Sequence, residues 1–198
     1  MTAYGLWRDR DGSTVVEFAL IAPVLMLMLV GILDVGHTAY TTAALQGVVQ
    51  KAGRDSAIQS SNAATIDAKV YDQVRDLTNT MTAPVISRRF FRDYSAASIK
   101  QHEQYNDLNA NSRCDNNETY TDKNWNGVWD ADGGDAGQGG AQDRTVYAVT
   151  ISYPRMLPLH GFINVPPNVT LTASTVYANQ PFDQQAQYAA TPPTRNCS

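Results

Sequence analysis

The stretch Gly12-Ser13-Thr14-Val15-Val16-Glu17-Phe18 opens an apolar run that ends at Leu33. From Val15 to Leu33 there are 19 residues, of which Glu17 alone carries a charge. Because an α-helix rises about 1.5 Å per residue, a helix of this length spans roughly the 30 Å hydrocarbon layer of a bilayer. The run therefore predicts one membrane-spanning helix over about residues 15–33.

A spanning helix with one acid near its start and a glycine just upstream resembles the processing site of type IV prepilins and their relatives. The resemblance implies that a membrane peptidase cuts the chain after Gly12. Ser13 then becomes the first residue of the mature chain and Glu17 the fifth, with Phe18 behind it.

The position of Glu17 also has a physical rationale. A new amine at Ser13 would place a positive charge at the positive end of the helix dipole, which is unfavourable. Glu17 lies four residues on, on the same helix face, and its carboxylate can neutralise this amine or that of a neighbouring subunit. An acid in a membrane segment usually marks a functional site. The alternative is a carboxylate at the level of the lipid headgroups, where its cost is small.

Residues 1–12 form a short polar leader. Arg8 and Arg10 favour a cytoplasmic N-terminus, and the acids beside them count little in the topology rule. The body of the protein is then expected outside the cytoplasmic membrane. The alternative is an ordinary signal peptide cut after the apolar run, but that run is longer than a typical signal-peptide core and contains Glu17.

Composition excludes several function classes. The formal charge of the 198 residues is −4, so no basic surface recommends a nucleic-acid partner. The three histidines are scattered, and no Cys/His spacing resembles a zinc site. No catalytic Ser/His/Asp or Cys/His arrangement and no glycine-rich phosphate motif stands out. The chain is therefore not predicted to be an enzyme.

Periodicity predicts an α+β fold. The N-terminal helix should continue past the membrane to about residue 57, and a second helix should run from about Ala64 to Asn79 with an apolar stripe on one face. Strands are predicted at Val85–Tyr94, Arg144–Tyr153 and Val169–Tyr177, the last two by clear alternation. These elements would form a small antiparallel sheet. The apolar stripe of the second helix comprises Ile66, Val70, Val74, Leu77 and Met81.

The segment between Lys100 and Gly140 lacks any periodicity and is strongly acidic. From Asp107 to Asp135 it holds seven acids and two basic residues, a net charge of −5. A solvated acidic loop is one interpretation of this composition. The spacing of the side chains favours calcium binding instead.

The first half of the segment has the ligand spacing of an EF-hand calcium loop. Oxygen-bearing side chains occupy positions 1, 3, 5, 9 and 12 of a twelve-residue stretch, and Arg113 offers its backbone carbonyl at position 7. Position 6 is Ser112, where glycine is expected. The five side chains are Asp107, Asn109, Asn111, Asp115 and Glu118.

A second loop begins fifteen residues later. It repeats positions 1, 3, 5 and 9 with Asp122, Asn124, Asn126 and Asp130, and Val128 offers its carbonyl at position 7. Position 12 is Gly133, so the bidentate acid is missing, and Asp132 or Asp135 is a candidate to replace it. The first loop is therefore expected to be the better site, and calcium is expected as one or two ions.

The whole arrangement resembles TadE-like proteins, the pseudopilins of tight-adherence (Flp-type) pilus machinery. The resemblance rests on residues 12–23, on Asp34-Val35-Gly36 and on Asn179-Gln180-Pro181-Phe182. It implies a single-pass inner-membrane precursor that a prepilin peptidase cuts and that is used in pilus assembly. The body is then expected to be a small pilin-like domain, into which the acidic segment is inserted as a calcium loop. Expected partners are the inner membrane, other pilins and pseudopilins, the peptidase and the assembly platform. The alternative is a membrane-anchored calcium-binding adhesion protein that never enters a filament.

These predictions divide the chain into four parts. A cytoplasmic leader (1–12) precedes the long helix (13–57), which is followed by a periplasmic pilin-like domain (58–182) and a polar C-terminal tail (183–198). The acidic loop occupies residues 107–140 of the domain. In the assembled pilus the body would lie at the cell surface.

In an oxidising periplasm Cys114 and Cys197 should form a disulfide. The alternative is free or intermolecular thiols.

Overall fold

The computed structural model describes residues 13–58, 62–80, 82–92, 94–157, 161, 164–180 and 191–197. The chain forms two compact units. One comprises the chain up to Thr41 together with Tyr153–Val169, and the other comprises Thr42–Ser152 with Thr170–Ser198. The leader and Gly12, Met81 and residues 181–182 of the predicted family motif lie outside the described residues.

The N-terminal helix α1 runs over Ser13–Ser56, so the long helix predicted from the apolar run is confirmed. Pro23 lies inside it without ending it. Within the described part of the chain, α1 is the one helix long and apolar enough to cross a membrane, and none of its most apolar window is buried in the protein. In the second half of α1, by contrast, Leu45, Val49 and Ala52 are buried.

Helix α2 covers Ala63–Thr78, close to the predicted bounds. Asn62 caps its N-terminus by accepting hydrogen bonds from the backbone N–H groups of Ala64 and Thr65. Asn79 ends it in the left-handed conformation, with φ of 49°. The predicted stripe faces the interior, since three of its described members are buried: Ile66, Val70 and Val74.

A four-stranded antiparallel sheet forms the core of the body. It contains β1 (Val85–Phe91), β3 (Asp135–Ala136), β4 (Arg144–Pro154) and β5 (Asn168–Ala178) in the order β3-β1-β4-β5. The predicted alternation is confirmed in β4, where five side chains on one face are buried. They are Thr145, Tyr147, Val149, Ile151 and Tyr153.

Strand β1 is shorter than predicted. Its last pair is Phe91 with Arg144, the first residue of β4, so the ladder ends where its partner begins. A short helix, α3, follows at Tyr94–Ile99. Arg88 of β1 joins α2 to the sheet through two hydrogen bonds to the carboxylate of Asp67 and lies 4.8 Å from the ring centroid of Tyr147.

The acidic segment is more ordered than its lack of periodicity indicates. It contains β2 at Thr119–Thr121, which pairs with β6 at Thr194–Asn196 in a separate two-stranded sheet. The tail, which was predicted only to be polar, thus carries a strand. Elements of two or three residues show no alternation that a sequence pattern can detect, and their pairing depends on residues far apart in the chain.

Candidate metal centre

The first predicted loop folds around the carboxylate of Asp107. This group accepts hydrogen bonds from the backbone N–H of Asn111 at 3.2 Å and of Ser112 at 2.8 Å. The amide oxygen of Asn109 accepts from the backbone N–H of Asn111, and that of Asn111 accepts from Arg113. The side chains at positions 1, 3 and 5 therefore hold the backbone in a tight turn around them.

The second loop makes the same bonds at the same positions. Asp122 accepts from the backbone N–H of Asn126 at 3.2 Å and of Gly127 at 3.0 Å. The amide oxygen of Asn124 accepts from Asn126, and that of Asn126 accepts from Val128. The two stretches that share a sequence spacing thus also share a conformation.

Backbone angles repeat between the loops as well. Position 6 has positive φ in both, 61° at Ser112 and 78° at Gly127. Position 4 does too, with 58° at Ala110 and 65° at Trp125. Ser112 adopts the conformation for which glycine is expected at this position, at a cost of about 1 kcal/mol.

At position 9, the carboxylate of each loop faces the asparagine side chains. Asp115 accepts hydrogen bonds from the amide nitrogens of Asn111 and Asn109, which lower the pKa of Asp115. Asp130 accepts in the same way from Asn124 at 2.8 Å and Asn126 at 2.7 Å. In this arrangement the amide nitrogens, and not the oxygens, point towards the carboxylate.

At position 12 the structure brings in a glutamate that the calcium-loop spacing does not include. Glu118 is buried and accepts hydrogen bonds from Leu108 N–H at 2.9 Å and Asp115 N–H at 3.0 Å, which are positions 2 and 9 of the first loop. Positions 2 and 9 of the second loop donate instead to Glu103, from Lys123 N–H at 2.7 Å and Asp130 N–H at 3.1 Å. Glu103 is fully buried.

A sequence signal for Glu103 was present. Glu103-Gln104-Tyr105-Asn106-Asp107 and Glu118-Thr119-Tyr120-Thr121-Asp122 share a glutamate and a tyrosine at the same offsets before the first aspartate of each loop. The fifteen-residue repeat therefore begins four residues earlier than the calcium spacing. The EF-hand pattern itself begins at the first aspartate, so it does not include Glu103.

The two acids proposed to close the second loop do not accept hydrogen bonds from its positions 2 and 9. Asp132 accepts hydrogen bonds from the guanidinium of Arg89, which also donates to Asp130 at 2.8 Å. Asp135 accepts from the backbone N–H of Ala136 and, at 3.4 Å, from the side-chain amide of Asn126. The backbone N–H groups at positions 2 and 9 donate to Glu103 instead.

The two repeats pair with one another about an approximate two-fold axis. Tyr105 and Tyr120 form an antiparallel β-bridge. Asn106 N–H donates to the carbonyl of Thr119, and Thr121 N–H donates to that of Gln104, both at 2.8 Å. One loop therefore cannot be displaced without disturbing the other.

Residues from the tail hold this pair in place. Cys114 and Cys197 form a disulfide with a Cα–Cα distance of 5.4 Å. Cys197 N–H donates to the carbonyl of Glu118, and Asp122 N–H donates to that of Pro193. The indole N–H of Trp129 donates to the carbonyl of Glu103.

The acids alone do not form a metal site. Among the described residues, no group of three or more His, Cys, Asp or Glu side chains is arranged to hold a metal ion. A cation here would also need asparagine amide and backbone carbonyl oxygens, which calcium accepts readily.

The predicted processing residues lie at the start of α1. Ser13 is its first residue, and Glu17 and Phe18 lie in its exposed first turns. Gly12 precedes the described residues. The structure therefore places Glu17 one helical turn after Ser13, as the spacing requires.

Comparison with known proteins identifies this N-terminal part. Residues 12–54 match the family model described as TadE-like protein, which confirms the predicted resemblance over that stretch. The match begins at Gly12 and covers most of α1. No curated protein and no solved structure matches the chain.

Proposed function

Because residues 12–54 are TadE-like, as in proteins of Tad pilus systems, we propose that this protein is a minor pilin or pseudopilin that acts in assembly of a tight-adherence pilus. A prepilin peptidase removes the leader after Gly12. Helix α1 then anchors the protein in the inner membrane, with the leader side cytoplasmic and the body periplasmic. Other pilins and the assembly platform take it up into the filament.

The observation that carries this proposal is that the family match begins at Gly12, the residue before the proposed cut. The exposed apolar surface of α1 supports it, since such a surface needs lipid or other helices around it. The family is one of pilus-associated proteins and not of enzymes, which agrees with an assembly role.

N-terminal sequencing of the protein from cells with and without the prepilin peptidase tests the cut. We expect Ser13 as the first residue with the peptidase and Met1 without it. Gly12→Leu should block cutting because a large side chain replaces the glycine at the cut, while Gly5→Leu in the leader serves as control. A mature start near Ala43 would refute the proposal.

A filament role is distinguished from the alternative by location. If the protein is instead a membrane-anchored calcium-binding adhesion protein, it remains in the membrane fraction when pili are sheared from cells. A pilin is found with the sheared pili. Immunoblots of both fractions decide between these two functions.

We also propose that the two loops bind calcium. The support is their shared conformation, the EF-hand spacing and the burial of Glu118, Asp122 and Asp130. Clustered carboxylates repel one another unless a cation compensates them. Binding requires the asparagine amides to turn their oxygens towards the ion, since their nitrogens now point at Asp115 and Asp130.

Calorimetric titration of the full chain in detergent tests this proposal. At a calcium concentration 100-fold above Kd, the folded state should gain about 2.7 kcal/mol, so chelator should lower the melting temperature. Glu118→Gln should weaken binding more than Asp132→Asn, with the exposed Asp76→Asn on α2 as a charge-matched control. Absence of both binding heat and a melting shift would show that the segment is merely acidic.

A further inference from the structure

We propose that the two loops form one two-ion unit in which Glu103 supplies the bidentate carboxylate of the second loop and Glu118 that of the first. Each repeat thus provides the closing ligand of the other loop. This inference rests on the proposed calcium function. With Glu103 as a ligand, the second loop gains the bidentate acid that its own position 12 lacks.

The positions of the two glutamates are equivalent in detail. Each accepts one hydrogen bond from position 2 and one from position 9 of the loop that it closes. Each also donates its own backbone N–H to the carbonyl of that position-9 aspartate, at 3.0 Å from Glu103 to Asp130 and at 3.1 Å from Glu118 to Asp115. Only the chain direction differs, since Glu103 approaches its loop from the preceding repeat.

Both carboxylates keep the capacity to bind a cation. An ionised carboxylate has about four lone-pair sites on its two oxygens, and the two backbone N–H groups use one on each oxygen. One site therefore remains on each oxygen of Glu103 and of Glu118. That is what bidentate coordination of calcium by a glutamate needs.

Burial makes a compensating charge necessary. Glu103 is 0% exposed and Glu118 is 2% exposed, and within the described residues neither forms a salt bridge. The arginines of this region pair with other acids, Arg89 with Asp130 and Arg195 with Asp122. Since burying an unpaired charge is very costly, a bound cation is the natural partner of the two glutamates.

An independent observation points to the same place. Tyr120 is 2% exposed, and its buried hydroxyl has no hydrogen-bond partner within the described residues. Because side chains alternate along a strand, Tyr120 in β2 shares its face with Glu118 on one side and Asp122 on the other. A water bound to the ion would satisfy this buried donor, whose unmet hydrogen bond is otherwise costly.

The first loop has the matching tyrosine. Tyr105 lies two residues after Glu103 and two before Asp107, as Tyr120 lies between Glu118 and Asp122. The two tyrosines also form the bridge between the repeats. Ion binding at one loop therefore also fixes the bridge between Tyr105 and Tyr120, and with it the glutamate next to each tyrosine. Since the other loop depends on the same bridge, the two sites should bind calcium cooperatively.

Terbium luminescence excited through tryptophan distinguishes the loops. Trp125 and Trp129 lie in the second loop, whereas the first contains no tryptophan. Terbium binds oxygen ligands and can substitute for calcium. When the tryptophans of the full chain in detergent are excited, terbium luminescence should therefore arise chiefly from the second site. Calcium added afterwards should displace it.

Glu103→Gln should reduce the terbium affinity measured through tryptophan at least about tenfold, because even outer-sphere changes cost about 10–100-fold in metal affinity. Glu118→Gln should retain more of this signal while calorimetry shows the loss of one calcium ion from two. Asp76→Asn is the charge-matched control, and Asp135→Asn tests the alternative closing acid. Folding of each variant is checked without metal by circular dichroism and by retention of the Cys114–Cys197 disulfide.

Two results would overturn the inference. If the wild-type chain binds two calcium ions and Glu103→Gln leaves both the stoichiometry and the tryptophan-excited signal unchanged, the second site does not use Glu103. If Asp135→Asn abolishes the signal instead, the closing acid was misassigned. Absence of calcium binding by the wild-type chain would reject the calcium function itself, before any variant is tested.

Discussion

Arg195 Nε donates a hydrogen bond of 2.5 Å to Asp122 Oδ2, and so connects strand β6 of the tail to position 1 of the second loop. The side chain of Asp122 is fully buried, whereas that of Arg195 is half exposed. A basic residue from the last few residues of the chain thus compensates an acid that calcium would also bind.

Arg195→Gln is therefore expected to destabilise the calcium-free protein by about 1–3 kcal/mol, the cost of leaving a buried acceptor without its charged donor. Calcium should restore much of this loss, because the ion compensates Asp122 in place of the arginine. Thermal unfolding with calcium and with chelator measures both states. An equal loss in the two conditions would mean that Asp122 is not a ligand. Arg75→Gln, on helix α2 and outside the loops, is the control.

Removal of the disulfide should have a large effect. The bond links residues 83 apart in the sequence. The chain-entropy model gives about 4–5 kcal/mol for a loop of this size, and measured values are often lower. The double variant Cys114→Ser, Cys197→Ser should therefore unfold at clearly lower denaturant concentration than the wild type.

Reductant offers the matched control for this variant. It should lower the stability of the wild type to that of the double variant and leave the double variant unchanged. Alkylation of both thiols in the wild type without prior reduction would show that the bond does not form in the protein.

Two glycines of α1 provide a test of how the helix packs on the sheet. A Cβ on Gly53 would lie 2.6 Å from Thr175 Cγ2 of β5, whereas a Cβ on Gly47 would meet nothing within 4 Å. Gly53→Ala should destabilise the protein by about 1–3 kcal/mol through overpacking. Gly47→Ala should be neutral or stabilise it by roughly 0.5–1 kcal/mol through helix propensity. Denaturant unfolding of both variants measures the difference, and equal effects would contradict the close packing.

Asp34 and Arg155 form a salt bridge at the end of the predicted membrane segment. Arg155 also holds the returning chain, because its side chain donates to the carbonyl of Pro166 and its N–H to that of Pro167. Asp34→Asn should therefore increase hydrogen exchange at residues 153–157. The double variant with Arg155→Gln should show a coupling of about 0.5–3 kcal/mol. Strict additivity would mean that the pair contributes nothing to this part of the fold.

Glu17→Ala should leave the cut after Gly12 largely intact while weakening incorporation into pili, because it removes the partner of the new amine. A charge next to a helix N-terminus contributes up to about 2 kcal/mol, so roughly a five- to thirtyfold loss from sheared pili is expected. Immunoblots of pili and membranes measure the ratio, with Thr14→Ala as control. Unchanged incorporation would refute the proposed pairing.

Local patterns determined much of the fold. The apolar run alone indicated α1, since hydrophobicity and length decide what can cross a bilayer. Period-two alternation indicated β4 and β5, and a stripe at helical spacing indicated α2. These signals are strong because each of these elements buries one continuous face, which places apolar residues at regular intervals in the sequence.

The acidic segment contains contacts that local sequence patterns predict and contacts that they do not. The side chains at positions 1, 3, 5 and 9 of each loop were evident from spacing, because they bond to backbone groups only a few residues away. Glu103 was not, since it closes a loop whose donors lie 20 and 27 residues further along the chain. The pairing of Tyr105 with Tyr120 and the hydrogen bond from Glu103 N–H to the carbonyl of Asp130 bring it there.

The tail follows the same rule. Its sequence indicated a polar end whose cysteine should pair with Cys114, which the structure confirms. It did not indicate that residues 194–196 pair with β2 or that Arg195 bonds to Asp122. A strand of three residues has almost no preference of its own and exists because a partner strand offers free backbone groups. The sequence by itself determined the elements that bury a face, and the tertiary structure decided the contacts that join distant short segments, because those depend on neighbours that no local pattern specifies.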